Sequence, residues 1–136
     1  MLTGTGGNCG SQSSTLVSRG LTVGEIEFKD IFKVIFKEVR VALMVGVFLA
    51  VINGIRVVIM YQGKVESPLL LAFALGITLI CTITMAKVVG CTLPLAAEKI
   101  GLDPAIMAAP LITTIVDTCT TFVYFTIVCW IFHLSA

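Results

Sequence analysis

The stretch Pro110-Leu111-Ile112-Thr113-Thr114-Ile115-Val116-Asp117 decides the fold, because it lies inside an apolar run from Pro104 to Leu134. A run of that length crosses a bilayer as a helix. At 1.5 Å per residue, Asp117 sits ~20 Å from Pro104 and ~25 Å from Leu134, so its carboxylate reaches neither end easily. A charge near the bilayer centre costs at least ~2.5–3.5 kcal/mol, and such a residue faces a water-filled path, an ion or a partner. The structural alternative is a buried Asp paired with Lys87 or bonded to nearby Thr hydroxyls.

Pro110, Thr113, Thr114, Asp117, Thr121 and Tyr124 recur at spacings of three and four, which places them in one polar stripe. Threonine-rich stripes also serve plain helix packing; Asp117 turns the balance towards function. Pro110 has no N–H to offer the carbonyl of Ile106, which predicts a kink there.

Outward from this stretch, composition sets the class. The chain has 136 residues, 57% hydrophobic and 12% charged, with a mean hydropathy of +1.06. Soluble domains carry about 25% charged residues, so these values describe an integral membrane protein. A net charge of +1 gives no nucleic-acid signal. Five cysteines, Cys9, Cys81, Cys91, Cys119 and Cys129, form no C-x-x-C pair and read as small apolar helix residues. The lone His133 has no ligand-spaced neighbour. No nucleophile–base pair or metal-ligand cluster is visible, which argues against an enzyme. The opening Met1-Leu2-Thr3-Gly4 lacks the charged head and apolar run of a signal peptide.

The expected architecture is an all-α integral membrane bundle in one domain, 1–136. It comprises an N-terminal partial helix (1–22), an interfacial amphipathic helix (25–38) and three full transmembrane helices (39–61, 68–97 and 104–134). In the amphipathic segment Phe28, Ile31, Phe32, Ile35 and Val39 form one face, with Lys29, Lys33 and Lys37 opposite. A short cytosolic helix packed on the protein itself is the alternative. Ser67 and Pro68 read as N-cap and first helical residue of the second span, and Asp103-Pro104 repeats that start for the third. Pro94 predicts a kink or break, and Glu98 to Leu102 a turn. No internal repeat is visible.

Arg19, Lys29, Lys33, Lys37 and Arg40 precede the first span, Lys99 follows the second, and Lys64 stands alone in the other loop. The positive-inside rule therefore puts the N-terminal segment and the 98–103 turn in the cytoplasm and the C-terminus outside. Arg56 is close enough to the exterior end to snorkel to headgroups. Lys87, ~28 Å along the helix from Pro68, is expected to do likewise at the cytoplasmic face.

At the start of the chain, Asn8, Gln12, Thr15 and Arg19 share one face if the segment is helical. Gly6, Gly7 and Gly10 permit close backbone approach to another helix or an ion path. Gly6-Gly7-Asn8-Cys9-Gly10-Ser11-Gln12-Ser13-Ser14, then Arg19-Gly20-Leu21 and Gly24-Glu25-Ile26, resembles the second-helix motif of the MgtE magnesium transporters. Gly101-Leu102-Asp103-Pro104-Ala105, followed by Pro110 to Asp117, resembles that family's fifth helix. The two motifs stand in the family's order and together cover essentially the whole chain.

The resemblance implies a homodimer whose ion path runs between subunits, lined by those two helices. It assigns Asp117 as the carboxylate that binds hydrated Mg²⁺, Thr113 as a position whose carbonyl lines the same site, and Asn8 as the pore-side asparagine. Gln12, Thr15, Pro110, Thr114 and Thr121 are then pore-lining. Mg²⁺ is the transported ion, and the lipid bilayer the surrounding partner. The match starts late in the family's second helix and takes in neither the first helix nor the cytoplasmic N-terminal and CBS domains. Ala109 stands where some members carry a pore-facing Asn. A channel driven by the ion gradient and voltage is the leading expectation. An accessory subunit that completes a pore with a separate partner, and a carrier that uses Asp117 as a proton site, are the alternatives.

Overall fold

A computed structural model describes residues 1–65, 67–103 and 109–132. Four helices carry the described fold: α1 (Leu2–Val23), α2 (Ile31–Tyr61), α3 (Pro68–Lys99) and α4 (Ala109–Ile131), with one short 3-10 turn at Phe28–Asp30 before α2. No strand occurs among the described residues. The chain is thus an all-α membrane bundle. Ile31–Tyr61, Pro68–Lys99 and Pro110–Ile131 are each long and apolar enough to cross a bilayer.

Helix α3 is the hub and touches each of the other three helices. Its sequence explains why. Ala74, Thr78, Thr82, Ala86, Gly90 and Pro94 recur at every fourth position, and all are buried. Small residues in that spacing bring backbones close, which matters in lipid because apolar burial alone gives helices little reason to associate. The closest approach is at Gly90, where an added Cβ would collide with the carbonyl oxygen of Gly10 on α1. Contacts run in step along the two helices: Gly6 lies by Thr82 and Gly10 by Ala86, and Val17 and Leu21 pack with Cys91 and Leu95. Helix α1 is therefore parallel to α3 and covers its second half, with Leu2 packed near Leu79 and Ile83. Helix α4 runs antiparallel to α1, since Gly6 meets Thr120 while Gly10 meets Ile112.

Several boundaries differ from the sequence reading, each for a local reason. The N-terminal segment, read as a partial helix of conditional helicity, is a helix of 22 residues. It ends where Gly24 adopts a left-handed conformation (φ 77°), and Glu25 and Ile26 donate back to the Gly20 carbonyl at 2.9 and 3.1 Å. Ile26 folds over Gly20, where a Cβ would not fit. The basic segment is not a separate element: from Ile31 onward it is the first part of α2. No glycine or proline interrupts α2 before Gly46, so the change from amphipathic to apolar pattern marks a change of surroundings, not of backbone. Ile31, Val34 and Ile35 pack onto Val17, Leu21, Cys91 and Leu95, whereas Phe32 is 81% exposed. At the start of α2, Lys33 bonds Asp30 at 3.0 Å and holds that carboxyl below its ordinary range.

Helix α3 continues through Pro94 to Lys99, so the proline is not a break. It then turns at Gly101 (φ 77°). Ser67 holds the N-cap position of α3 without a side-chain bond; its carbonyl accepts from Leu71 instead, at 3.1 Å. The expected start of the third span at Pro104, the Ile106 carbonyl, His133 and Leu134 lie outside the described residues.

Outward faces complete the picture. Met44, Phe48, Ile55 and Ile59 on α2, and Phe122, Phe125 and Trp130 on α4, are mostly exposed. Such apolar faces match lipid as solvent. Arg56 is exposed, as its expected reach to headgroups requires.

Candidate functional site

Helix α4 presents two faces. Ile112, Val116 and Thr120 are buried against the bundle. Pro110, Thr114 and Thr121 are exposed, and Thr113, Asp117 and Tyr124 are half-buried at the edge between the faces. The expected stripe therefore runs along one side of α4, partly on the face that the bundle leaves uncovered and partly at its edge.

The carboxylate of Asp117 is the site's central group. Its Oδ1 is buried and has no hydrogen-bond partner among the described residues. The threonine hydroxyls around it are already engaged with the helix backbone. Thr113 and Thr114 both donate to the Pro110 carbonyl at 2.9 Å, and Thr121 donates to the carbonyl of Asp117 at 2.9 Å. The main-chain carbonyl of Asp117 is thus occupied while the side-chain oxygen is not. Lys87, the other partner the sequence offered, is committed elsewhere. A buried carboxylate oxygen left without a donor is costly unless a cation or water meets it.

Gly7 on α1 makes the local space. A Cβ there would stand 3.1 Å from Thr113 Cγ2 and 3.6 Å from Asp117 Oδ1, so α1 passes directly over the edge of α4 that carries Thr113 and Asp117. One residue further, Asn8 is exposed. Asn8, Ser11, Gln12, Thr15 and Leu16 line an open concavity of about 560 Å³ on the outer face of α1. Ser11 Oγ in this group is buried and unpartnered. The structure therefore brings Thr113, Asp117 and the start of α1 together. It places Asn8, Gln12 and Thr15 on the exposed face of α1, and Pro110, Thr114 and Thr121 on the exposed face of α4.

Sequence reasoning missed a second polar centre. Lys87 does not snorkel: its ammonium is buried and bonds Glu38 Oε2 at 2.7 Å and Ser13 Oγ at 3.1 Å. Ser13 in turn donates to Glu38 Oε2 at 2.7 Å. The physical reason is packing: Lys87 lies on the buried side of α3, where the Glu38 carboxylate of α2 is within hydrogen-bond reach. The signal was present in the sequence, as Glu38 is the one acid in the Ile31–Tyr61 helix. Thr82 and Thr120 were missed as well; both are buried beside Gly6 with hydroxyl oxygens that lack a partner.

Among the described residues no three His, Cys, Asp or Glu side chains cluster. The Asp117 carboxylate, bordered by Thr113 and by Gly7 of α1, carries a buried oxygen without a partner among the described residues. Three helices long and apolar enough to span a bilayer, with a polar, carboxylate-bearing edge on α4, define a polytopic membrane protein. The family model described as "Divalent cation transporter", MgtE, matches residues 1–127, and the chain belongs to that family. It is 35% identical over 133 residues to the magnesium transporter MgtE of Bacillus subtilis, covering 98% of this chain and 28% of that protein. The corresponding values are 32% over 127 residues for the MgtE of Enterococcus faecalis, with 93% and 27% covered. For the MgtE of Thermus thermophilus they are 34% over 130 residues, also with 93% and 27% covered. The chain thus spans little more than a quarter of the length of these relatives.

Proposed function

We propose that this chain forms the membrane core of a magnesium-conducting, channel-like transporter, with the ion path between two copies. The observation that carries the reading is the unpartnered Oδ1 of Asp117, buried beside Gly7 of α1 at the edge of the exposed face of α4. The relatives' described cargo supports Mg²⁺ as the ion. Mg²⁺ gives up its waters reluctantly and is held through few carboxylates. The Asp117 carboxylate, with Thr113 and the Pro110 side of α4 along its helix and Asn8 next to Gly7 on α1, fits a hydrated ion better than a stripped one.

In a two-fold dimer each Asp117 meets its symmetry mate, and two negative charges converge where a divalent ion pauses. Gln12, Thr15, Thr114 and Thr121 continue the polar lining on either side. The membrane potential, negative inside, drives entry without a coupled ion. Lysine and arginine placement puts the Arg19–Arg40 region and the 98–103 turn in the cytoplasm and the C-terminus outside.

Two measurements test this reading. Proteoliposomes carrying this chain should take up Mg²⁺ down its gradient, faster with an inside-negative potential and independently of a pH gradient; uptake that requires a proton gradient favours the carrier reading. Cysteines introduced at Thr113 or Thr121 should crosslink two copies, and failure at both sites, with an exposed control behaving the same, removes the dimer.

A further inference from the structure

We infer that Ser13, Glu38 and Lys87 form a positioning lock that sets the rotation of α1, and through it the ion affinity of the Asp117 site. The inference rests on the transport reading above and adds residues that lie away from the ion path.

Each member comes from a different helix: Ser13 from α1, Glu38 from α2 and Lys87 from α3. Their hydrogen bonds close a ring, at 2.7 Å from Ser13 to Glu38, 2.7 Å from Lys87 to Glu38 and 3.1 Å from Lys87 to Ser13. The ring is buried, with side-chain exposures of 7% for Lys87 and 10% for Glu38, and Ser13 is fully buried. Glu38 and Lys87 alone would join α2 to α3. Ser13 extends the bond set to α1, and it does so from the buried face, whereas Asn8, Gln12 and Thr15 are on the exposed face.

Position along the helices gives the ring leverage. Ser13 is one turn beyond Gly10 and Lys87 one turn before Gly90, and those two glycines make the closest backbone approach of α1 to α3. The glycine crossing fixes distance but not rotation, because a glycine has no side chain to index the helix. Val17 and Leu21 index α1 by apolar packing, and the Ser13 hydroxyl adds the directional bond nearest to the crossing. Six residues separate it from Gly7, about 9 Å along the axis, and Gly7 borders Thr113 and Asp117. A turn of α1 about its axis moves Gly7 off Asp117 and swings Asn8 and Gln12 along the open face.

Two variants test the lock. Ser13→Ala leaves the Glu38–Lys87 pair intact and removes that directional bond. The double variant Glu38→Met/Lys87→Met replaces the pair by apolar side chains, an exchange that buried ion pairs commonly tolerate, and removes both charged partners of Ser13, leaving it the Cys91 thiol. In a host lacking its own Mg²⁺ importers, both variants should reach the membrane at normal amounts. Both should raise the half-saturating Mg²⁺ concentration by about two- to thirty-fold, the range of coupling changes from residues that do not touch ligand.

A merely structural role lowers the amount of protein and leaves that concentration unchanged. A second readout does not need flux: in a cysteine-free background, labelling of Gln12→Cys by a water-soluble thiol reagent should change in rate when Ser13→Ala is added. Unchanged half-saturation and unchanged labelling in both variants overturn the lock, as does loss of both variants from the membrane, which makes the ring a folding element. If the parent chain carries no Mg²⁺, the transport reading fails instead, and the labelling arm still decides the lock.

Discussion

Glu38 and Asp117 are both carboxylates within membrane-spanning helices, and their surroundings are opposite. Glu38 has an ammonium and a hydroxyl on one oxygen, both at 2.7 Å. Asp117 has an oxygen that is buried and bare. The bundle could have offered Asp117 its nearby threonines, yet these turn back onto the helix carbonyls. A satisfied charge in a membrane protein holds helices together, whereas a buried oxygen without a donor adds nothing to the packing. The contrast is what the proposed division between a structural and an ion-facing carboxylate rests on.

The largest effect follows from breaking the satisfied pair on one side only. Lys87→Met leaves Glu38 buried without a cation, and removal of one partner from a buried pair costs about 3–5 kcal/mol. The purified variant should show a much lower unfolding temperature and poor yield in detergent; parent-like melting would mean that the ring contributes nothing to the fold.

Next comes the crossing that lets the ring form. Gly90→Ala places a Cβ against the Gly10 carbonyl, which backbone cannot yield cheaply, and overpacking of this kind costs about 1–3 kcal/mol. Gly4→Ala is its control. Nothing lies within 4 Å of a Cβ at Gly4, and alanine in a helix is favoured over glycine by about 0.5–1 kcal/mol. The two substitutions should therefore shift the melting temperature in opposite directions.

Smaller still is the effect of Gly7→Ala on stability, since its nearest neighbours, at 3.1 and 3.4 Å, are side-chain atoms of Thr113 that can give way. The added methyl fills the space beside Asp117. Mg²⁺ uptake should fall while the amount of protein in the membrane stays near the parent's, and uptake equal to the parent's would remove Gly7 from the site. Asp117→Asn should change melting least of all, within about 0.5 kcal/mol or towards greater stability, because no native bond to Oδ1 is lost.

Much of this was legible in the sequence. The three spans follow from apolar runs, and the Asp117 stripe follows from three- and four-residue spacing. The glycines of α1 announced close approach, and the structure gives each of Gly6, Gly7 and Gly10 a neighbour on α3 or α4. What was not legible depended on knowing which helices touch. Lys87 and Glu38 are 49 positions apart, and no local pattern pairs them. Phe32, Ile31 and Ile35 fell on one apolar face by periodicity, and only the packing of α1 decided that Ile31 and Ile35, with Val34, turn inward while Phe32 stays exposed. The repeat of small residues from Ala74 to Pro94 was visible in principle. Against a background of leucine and isoleucine it reads as composition until α3 is known to be central.

The most direct test of the central claim compares Asp117→Asn with Asp117→Glu for Mg²⁺ uptake at matched membrane expression, in a host lacking its own importers. Asparagine keeps the shape and removes the charge; glutamate keeps the charge and moves it by about one methylene. A cation site predicts that Asn abolishes uptake and Glu retains part of it. A structural role predicts the reverse order, and uptake by the Asn variant equal to or above that of the Glu variant would contradict the account.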